Sequence, residues 1–485
     1  MDSCARFDNR MSAAGKFLFA IGLGGAATTW AETCSAEPAP TAGNEVIVVT
    51  AQRRAEAPQN VPISLTAKTG DQLELMQVTD MAALGKVVPS LTMTRTGAFT
   101  QPYLRGVGKR STLGVENSVA TYLDGVYLAS SISAMLDLFG IERVEVLNGP
   151  QGTLFGRNAT GGVIQIVTRD PSAEPSGEVR LQVGAYGYAR SDMYLAGDRD
   201  KIAANVAVSA SRNGGYGTNF YTGKSDQGEV KHSVAGRTKL VWRPVQQLKV
   251  TFAADYQDVD QDFASRPVSG FEPIGEPRVL GFRNGDQNAS NRFQLRYGGM
   301  SARADGKIGE VRFLSLSALR RTRARFSFDL DLGPSDLLSG APNVRQKQFS
   351  QEFQLQSSES SRIRWLTGLY FIHLEERYDP TIFRYGGSYS ARLGGRLQQT
   401  LRDVGETSSY AAYGQGTLPI AEATQLTLGL RYTVERRSVR ANGERVFDAP
   451  PFVRPIPGLP LPGEEPLRNS AVFRPLIAPP ISPPI

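Results

Sequence analysis

Glu142 and Glu145 are the two carboxylates that first suggest acid–base chemistry. They lie three apart in Ile141-Glu-Arg-Val-Glu-Val-Leu147, a run that reads as a strand, and an odd spacing puts them on different faces. General acid–base catalysis needs two groups converging on one bond, so this pair does not supply it. Histidine occurs only at His232 and His373, and cysteine only at Cys4 and Cys34. Neither a Ser/His/Asp set nor a His/Cys zinc or haem site can be assembled from them. No catalytic residue, metal ligand or cofactor is therefore expected, and the chain does not read as an enzyme. The run Gly149-Pro-Gln-Gly-Thr-Leu-Phe-Gly-Arg-Asn-Ala-Thr-Gly-Gly162 invites comparison with a phosphate-cradling loop. It lacks the Gly-Lys-Ser/Thr ending of the nucleotide type. Gly149, Gly152, Gly156, Gly161 and Gly162 instead permit tight turns and close backbone approach.

The elements that hold these residues change character along the chain. Lys16 and the apolar run Phe17–Ala27 read as an export signal, with Ala31 or Ala36 as cleavage points and Met11 as an alternative start. The run is too short to cross a bilayer as a helix, which takes about 20 residues. No other run of 18 apolar residues exists, so membrane residence would have to be as a β-barrel. Basic and acidic residues are interspersed, 54 against 47 for a net charge of +7. The basic cluster on one element that nucleic-acid binding requires is missing.

Residues 1–36 are assigned to the signal region and 37–54 to a polar linker carrying the β-branched run Glu45-Val-Ile-Val-Val-Thr50. Residues 55–170 alternate strand-like runs (Ser64 to Lys68, Ser118 to Leu123, Arg143 to Leu147, Gly162 to Thr168) with helical stretches. One helix is expected to be capped by Thr69 and to run through Met76; a second, capped by Thr79 or Asp80, runs through Leu84. Residues 176–445 switch to period-two alternation. Leu426, Leu428, Leu430, Tyr432 and Val434 alternate with Thr427, Gly429, Arg431 and Thr433, and Leu248, Val250, Phe252, Ala254 and Tyr256 do the same. Strands of about 9–13 residues suit a tilted membrane crossing. Short turns such as Arg243 to Gln247 alternate with long polar insertions, 257–290 and 375–406. About eleven strands are expected. Residues 446–485 are proline-rich and read as a disordered or frameshifted tail.

Five segments in order resemble the plug of TonB-dependent receptors. They are Val61-Pro-Ile-Ser64 with Val88-Pro-Ser-Leu91, Leu104-Arg-Gly-Val-Gly108, Thr121-Tyr-Leu-Asp-Gly-Val-Tyr127, Ile141–Leu147 and the run Gly149–Gly162. Asn148 departs from the arginine often found there in the family. The resemblance implies an α/β plug inside a transmembrane antiparallel barrel of 22 strands, of which this chain would hold about half. It makes Glu45, Val46, Ile47, Val48, Val49 and Thr50 a TonB box, a strand that can add to the sheet edge of its periplasmic partner. Arg105, Gly106, Asp124, Gly125, Arg143, Gly149, Pro150, Gln151, Gly152, Gly156, Arg157, Asn158, Gly161 and Gly162 become structural or gating positions of the plug. Arg105, Arg143 and Arg157 are expected to meet acidic residues of the barrel wall. Phe99, Tyr103, Lys109 and Arg110 become candidates for ligand contact.

The function implied is TonB-energised uptake, in the outer membrane of a Gram-negative bacterium, of a scarce nutrient such as a ferric siderophore. TonB, outer-membrane lipid and the small-molecule ligand are the expected partners. The linker leaves no room for an N-terminal signalling domain. Two other readings stand beside this one: a truncated, non-functional receptor fragment, and an outer-membrane barrel enzyme, against which the histidine count speaks.

Overall fold

The computed structural model describes residues 49–448, apart from Ala51, Ala55 and residues 97–98, 110–115, 131–134, 263–282, 388–394 and 422–423. The signal region, Glu45 to Val48 of the linker and the tail beyond Asp448 lie outside the described residues.

The first part is α/β. In chain order it holds β1 (Leu65–Thr69), α1 (Gly70–Leu75), a 3-10 helix (Met81–Lys86), β2 (Leu91–Thr96), β3 (Phe99–Leu104), β4 (Val107–Gly108), β5 (Val119–Leu123), β6 (Val126–Tyr127), β7 (Ile141–Asn148), α2 (Gly152–Phe155) and β8 (Gly162–Thr168). Thr69 caps α1 as expected, in a reciprocal capping box with Gln72. Asp80 caps the 3-10 helix by accepting from the Ala83 amide. The main sheet has the order β1-β7-β8-β5-β6, with β5 and β8 parallel and the other pairs antiparallel. A second small sheet runs β2-β3-β4.

The second part is a single antiparallel wall. Its strands are β9 (Ser176–Val183), β10 (Ala189–Arg199), β11 (Ile202–Asn213), β14 (Val230–Val245), β15 (Leu248–Asp262), β16 (Arg292–Ile308), β17 (Val311–Asp329), β18 (Leu338–Gln356), β19 (Arg364–Tyr385), β20 (Arg396–Ala421) and β21 (Thr424–Asp448). A small hairpin, β12 (Gly217–Asn219) and β13 (Lys224–Gln227), sits between β11 and β14. The 11 strands pair in chain order, and β9 and β21 stand at the two edges, so the sheet is an incomplete barrel.

Two expectations need correction. The strands from β16 onward are 17 to 26 residues long, well beyond the expected 9–13. The segment 375–406 is mostly strand, since β19 continues to Tyr385 and β20 begins at Arg396. Past the membrane both faces of a strand are wet, so the apolar alternation used to bound the strands disappears while the hydrogen-bond ladder goes on. β21 likewise ends at Asp448, inside the segment read as tail.

One set of apolar side chains on the wall faces away from the plug. Leu319, Phe349, Phe353, Leu355, Leu369, Leu428 and Leu430 are exposed, as a lipid-facing band requires. A soluble sandwich would turn this set inward. The plug packs on the opposite face. Leu73, Met81, Leu84, Leu104 and Ile141 of the plug share one buried cluster with Phe293, Leu295, Tyr297, Ala324 and Phe326 of the wall. No described helix is long and apolar enough to cross a membrane.

Candidate functional site

Val49 and Thr50 enter the plug as a clamped segment. Val49 and Glu56 exchange two backbone hydrogen bonds of 2.9 Å, and the Arg53 amide donates to the Thr50 carbonyl at 2.9 Å. The hairpin places Arg53 at φ 60°. Val49 is wholly buried among Val61, Ala120, Tyr122 and Leu147. The Thr50 amide donates to both carboxylate oxygens of Glu145 at 3.0 Å, and its hydroxyl to Oε1 at 3.1 Å. Glu145 is inaccessible to solvent. Its charge is met by Arg143 Nε at 2.8 Å and Gln165 Nε2 at 3.3 Å. A buried carboxylate is tolerated when donors surround it, and two of these donors belong to the N-terminal segment.

The next two residues tie the segment to the wall. Arg53 lies over the rings of Phe155 and Tyr122, at 4.6 and 5.2 Å from their centroids, and 3.6 Å from Glu352 of β18. Burial opposes its charge, but Glu352 and the surrounding tyrosines Tyr122, Tyr413 and Tyr370 hold its pKa above the ordinary value. Glu352 is itself fixed by the Tyr413 hydroxyl at 2.5 Å and Gln354 Nε2 at 2.8 Å. Arg54 donates to Ser357 Oγ at 3.1 Å, in the short turn joining β18 and β19, and to the Trp365 carbonyl at 2.5 Å, at the start of β19. Burial lowers its pKa.

A cavity of about 420 Å³ opens beside this hairpin, lined by Thr50, Arg53, Asp124 and Arg143 of the plug and by Lys239 and Arg303 of the wall. Lys239 Nζ lies 3.2 Å from Asp124 and 3.0 Å from Asp170, and Lys249 lies 2.9 Å from Asp170. Burial would raise the Asp170 pKa, but the two ammonium groups bring it down to about 2.

The plug motif residues fall at turns and at the wall contact. Asp124 (φ 49°) and Gly125 (φ 86°) make the β5–β6 turn, and Asp124 accepts from the Thr168 amide at 2.9 Å. Arg105 and Gly106 make the β3–β4 turn, with φ of 49° and 79°. In the glycine-rich run, Gly149 and Gly156 have φ of 84° and 74°. Gln151, between Pro150 and Gly152, precedes α2 and donates its amide to the Ala159 carbonyl at 2.9 Å. A side chain at Gly161 would meet the Val107 carbonyl at 2.9 Å. Gly162, at φ 141°, leaves none for a Cβ against the Leu147 carbonyl. Asn158 donates to Glu116 and, at 2.7 Å, to the Tyr127 hydroxyl.

Of the three arginines expected at the wall, only Arg157 reaches an acidic wall residue. It bridges Glu116 of the plug and Glu435 of β21. Arg143 pairs instead with Glu142 and Glu145 inside the plug, because β7 lies in the middle of the plug sheet beside its own acids. Arg105 donates to Ser64 Oγ at 2.7 Å, held back by the β3–β4 turn. Asn148 also turns to Ser64, with Nδ2 3.3 Å from its carbonyl. Phe99 begins β3 opposite Thr96. Tyr103 is half-buried against Gly108, and Lys109 is exposed beyond β4; Arg110 lies outside the described residues. Glu145, Glu352, Arg53 and Arg54 were not singled out by the sequence as site residues. One signal was there: two adjacent arginines, Arg53 and Arg54, close behind the β-branched run.

Comparisons with known proteins bear on the plug and on the fold of the wall. The signature of the TonB-dependent Receptor Plug Domain matches residues 57–163. An iron-regulated outer membrane virulence protein of Vibrio cholerae is 26% identical over 280 residues, 55% of this chain and 40% of that protein. The pesticin receptor of Yersinia pestis is 32% identical over 205 residues, 41% of this chain and 30% of the receptor. The chain thus spans less than half the length of these relatives. Among solved structures, the ferric yersiniabactin uptake receptor of Yersinia pestis superposes with a TM-score of 0.68 at 23% identity, covering 80% of this chain and 58% of that one. The ferripyoverdine receptor of Pseudomonas aeruginosa gives 0.62 at 16% identity, covering 83% and 55%.

Proposed function

We propose that this chain, a TonB-dependent receptor by its plug and its half-built wall, serves energised uptake of a scarce nutrient across the outer membrane. A ferric siderophore is the ligand class the relatives favour: one is iron-regulated and a structural neighbour takes up ferric yersiniabactin. The observation that carries the reading is the clamp on Thr50. A segment that must be gripped and pulled by a periplasmic partner needs an end that is ordered yet held by few contacts. Backbone pairing with a partner's sheet edge gives such a grip without fixed side chains. The pull would first part Val49 from Glu56 and Thr50 from Glu145, then Arg53 from Glu352 and Arg54 from Ser357 and Trp365. Those are contacts that border the cavity between plug and wall, so their loss would widen it. No step calls for acid–base or nucleophilic chemistry, and the chain acts as a transporter, not an enzyme.

Uptake of iron-55 presented on hydroxamate, catecholate and phenolate chelators, in cells lacking other receptors, tests this. At least one chelate should enter in a manner abolished by a protonophore. Deleting Glu45 to Thr50 should abolish entry while sparing binding at the cell surface; entry that survives the deletion sinks the proposal. One observation favours a second reading, a fragment that does not transport. Among the described residues, β9 and β21 each present an unpaired edge, which lipid does not tolerate. Heat-modifiable migration of the detergent-extracted chain would report a closed barrel, and its absence would favour the fragment.

A further inference from the structure

The Arg53 side chain is only 9% exposed, and its Nε has no hydrogen-bond partner. Among the described residues no acceptor takes a hydrogen bond from its guanidinium. Glu352 Oε2 stands 3.6 Å from Nη1, beyond hydrogen-bond reach. The other oxygen of that carboxylate is held by Tyr413 and Gln354. The rings of Phe155 and Tyr122 cover one side of the group. Buried polar groups ordinarily have partners, and a buried cation without hydrogen bonds is costly. Such a group is suited to a partner that comes from outside the chain.

Arg303 of β16 approaches the same point from the wall. Its Nε and Nη2 fork onto Asp305, both at 2.7 Å, which leaves Nη1 for the plug side. A Cβ built at Gly125, in the β5–β6 turn, would lie 3.9 Å from Arg53 Nη1 and 3.9 Å from Arg303 Nη1. Two guanidinium ends therefore face one spot, which a side chain at position 125 would fill. Like charges repel, and an oxyanion between two arginine forks turns that repulsion into attraction.

The rest of the cavity sets the charge and shape of the anion. Its lining carries five basic and four acidic side chains, so it holds at most one net positive charge. Asp124 and Asp170 are already paired with Lys239. Leu314 and Leu316 of β17 give it an apolar side. A singly charged organic anion matches this set, whereas the second charge of a phosphate would meet the acids. The volume of about 420 Å³ falls in the range of small-molecule sites.

We propose that Arg53 and Arg303 bind the carboxylate of a small organic monocarboxylate whose apolar body lies against Leu314 and Leu316. Arg53 belongs to the N-terminal hairpin and Arg303 to the wall. The bound carboxylate bridges the two, so it holds residues 49–56 against β16 and opposes any pull on them.

Binding of 4-fluorobenzoate to the detergent-purified full chain, followed by fluorine NMR, tests this. Saturable binding is expected. 4-Fluorobenzamide, which has the same shape without the charge, and inorganic phosphate should each bind at least tenfold more weakly. The double variant Arg303→Gln/Asp305→Asn keeps the net charge of the lining and removes one fork. It should lose about tenfold or more in affinity, the size of one charge-assisted hydrogen bond. Arg243→Gln, which removes a wall arginine outside the cavity, should bind as the parent does. Hydrogen exchange of a peptide covering residues 49–56 should slow several-fold with 4-fluorobenzoate in the parent and stay unchanged in the double variant. No saturable binding by the parent, equal binding of the benzamide or of phosphate, or full affinity in the double variant would each overturn the proposal. If the double variant misfolds, Arg53→Gln replaces it with the same expected loss. The measurement uses the resting chain without TonB or a ferric ligand, so its outcome and that of the transport reading are independent.

Discussion

Replacing Glu145 by alanine should release the N-terminal segment from the plug without unfolding the plug. In the parent, the Thr50 amide and hydroxyl both donate to the Glu145 carboxylate, and hydrogen bonds to a charged acceptor contribute about 1.5–3 kcal/mol each. Water that enters from the adjoining cavity recovers part of this. A loss of about 3 kcal/mol in the closed state is therefore expected, roughly a hundredfold in the opening equilibrium. Hydrogen exchange of a peptide covering residues 49–56 reads it directly. Amides of β7 and β8, such as Val146 and Ile164, serve as the internal reference. Glu142→Ala removes the other acid beside Arg143, half-exposed and without contact to Thr50, and should leave the segment protected. Two results would refute the clamp: unchanged protection of 49–56 in Glu145→Ala, or an equal loss in β7 and β8, which would mean the acid supports the whole plug.

Two further outcomes follow from the same contacts. The folded-state pKa of Asp170 is depressed to about 2, so its contribution to stability is fully present above the unfolded value near 4 and is lost as pH falls toward 2; Asp170→Asn should flatten the pH dependence of urea unfolding in that window and leave the slope at neutral pH unchanged. Gly162→Ala forces a Cβ at φ 141° against the Leu147 carbonyl, and should lower plug stability by about 1–3 kcal/mol, measured as faster proteolysis of residues 140–170, whereas Gly149→Ala, with open space around its Cβ position, should show only the smaller cost of its positive φ.

Local signals carried most of the fold. The Thr69 and Asp80 caps, the β-branched runs of the plug and the outward alternation of Leu426 to Val434 each depend on neighbours a few residues away. Strand length was misjudged where lipid no longer imposes alternation, at β19 and β20. The site was far less legible. Thr50 meets Glu145 across 95 positions and Arg54 meets Ser357 across 303, and no periodicity encodes such pairings. The expected wall contacts of Arg143 and Arg105 failed for the same reason, since a charge on an inner strand takes the nearest acid, which the topology chooses.

The central claim is that the segment at residues 45–50 is a handle for a periplasmic partner. Capture of the isolated periplasmic domain of TonB by the purified full chain, crosslinked from a cysteine placed at Val49 with Cys4 and Cys34 replaced by serine, tests it most directly. The account predicts a crosslink that is strengthened by Glu145→Ala, which frees the strand, and lost with Ile47→Pro, which removes a ladder donor. A crosslink of equal yield in the proline variant, or none in any variant, would contradict it.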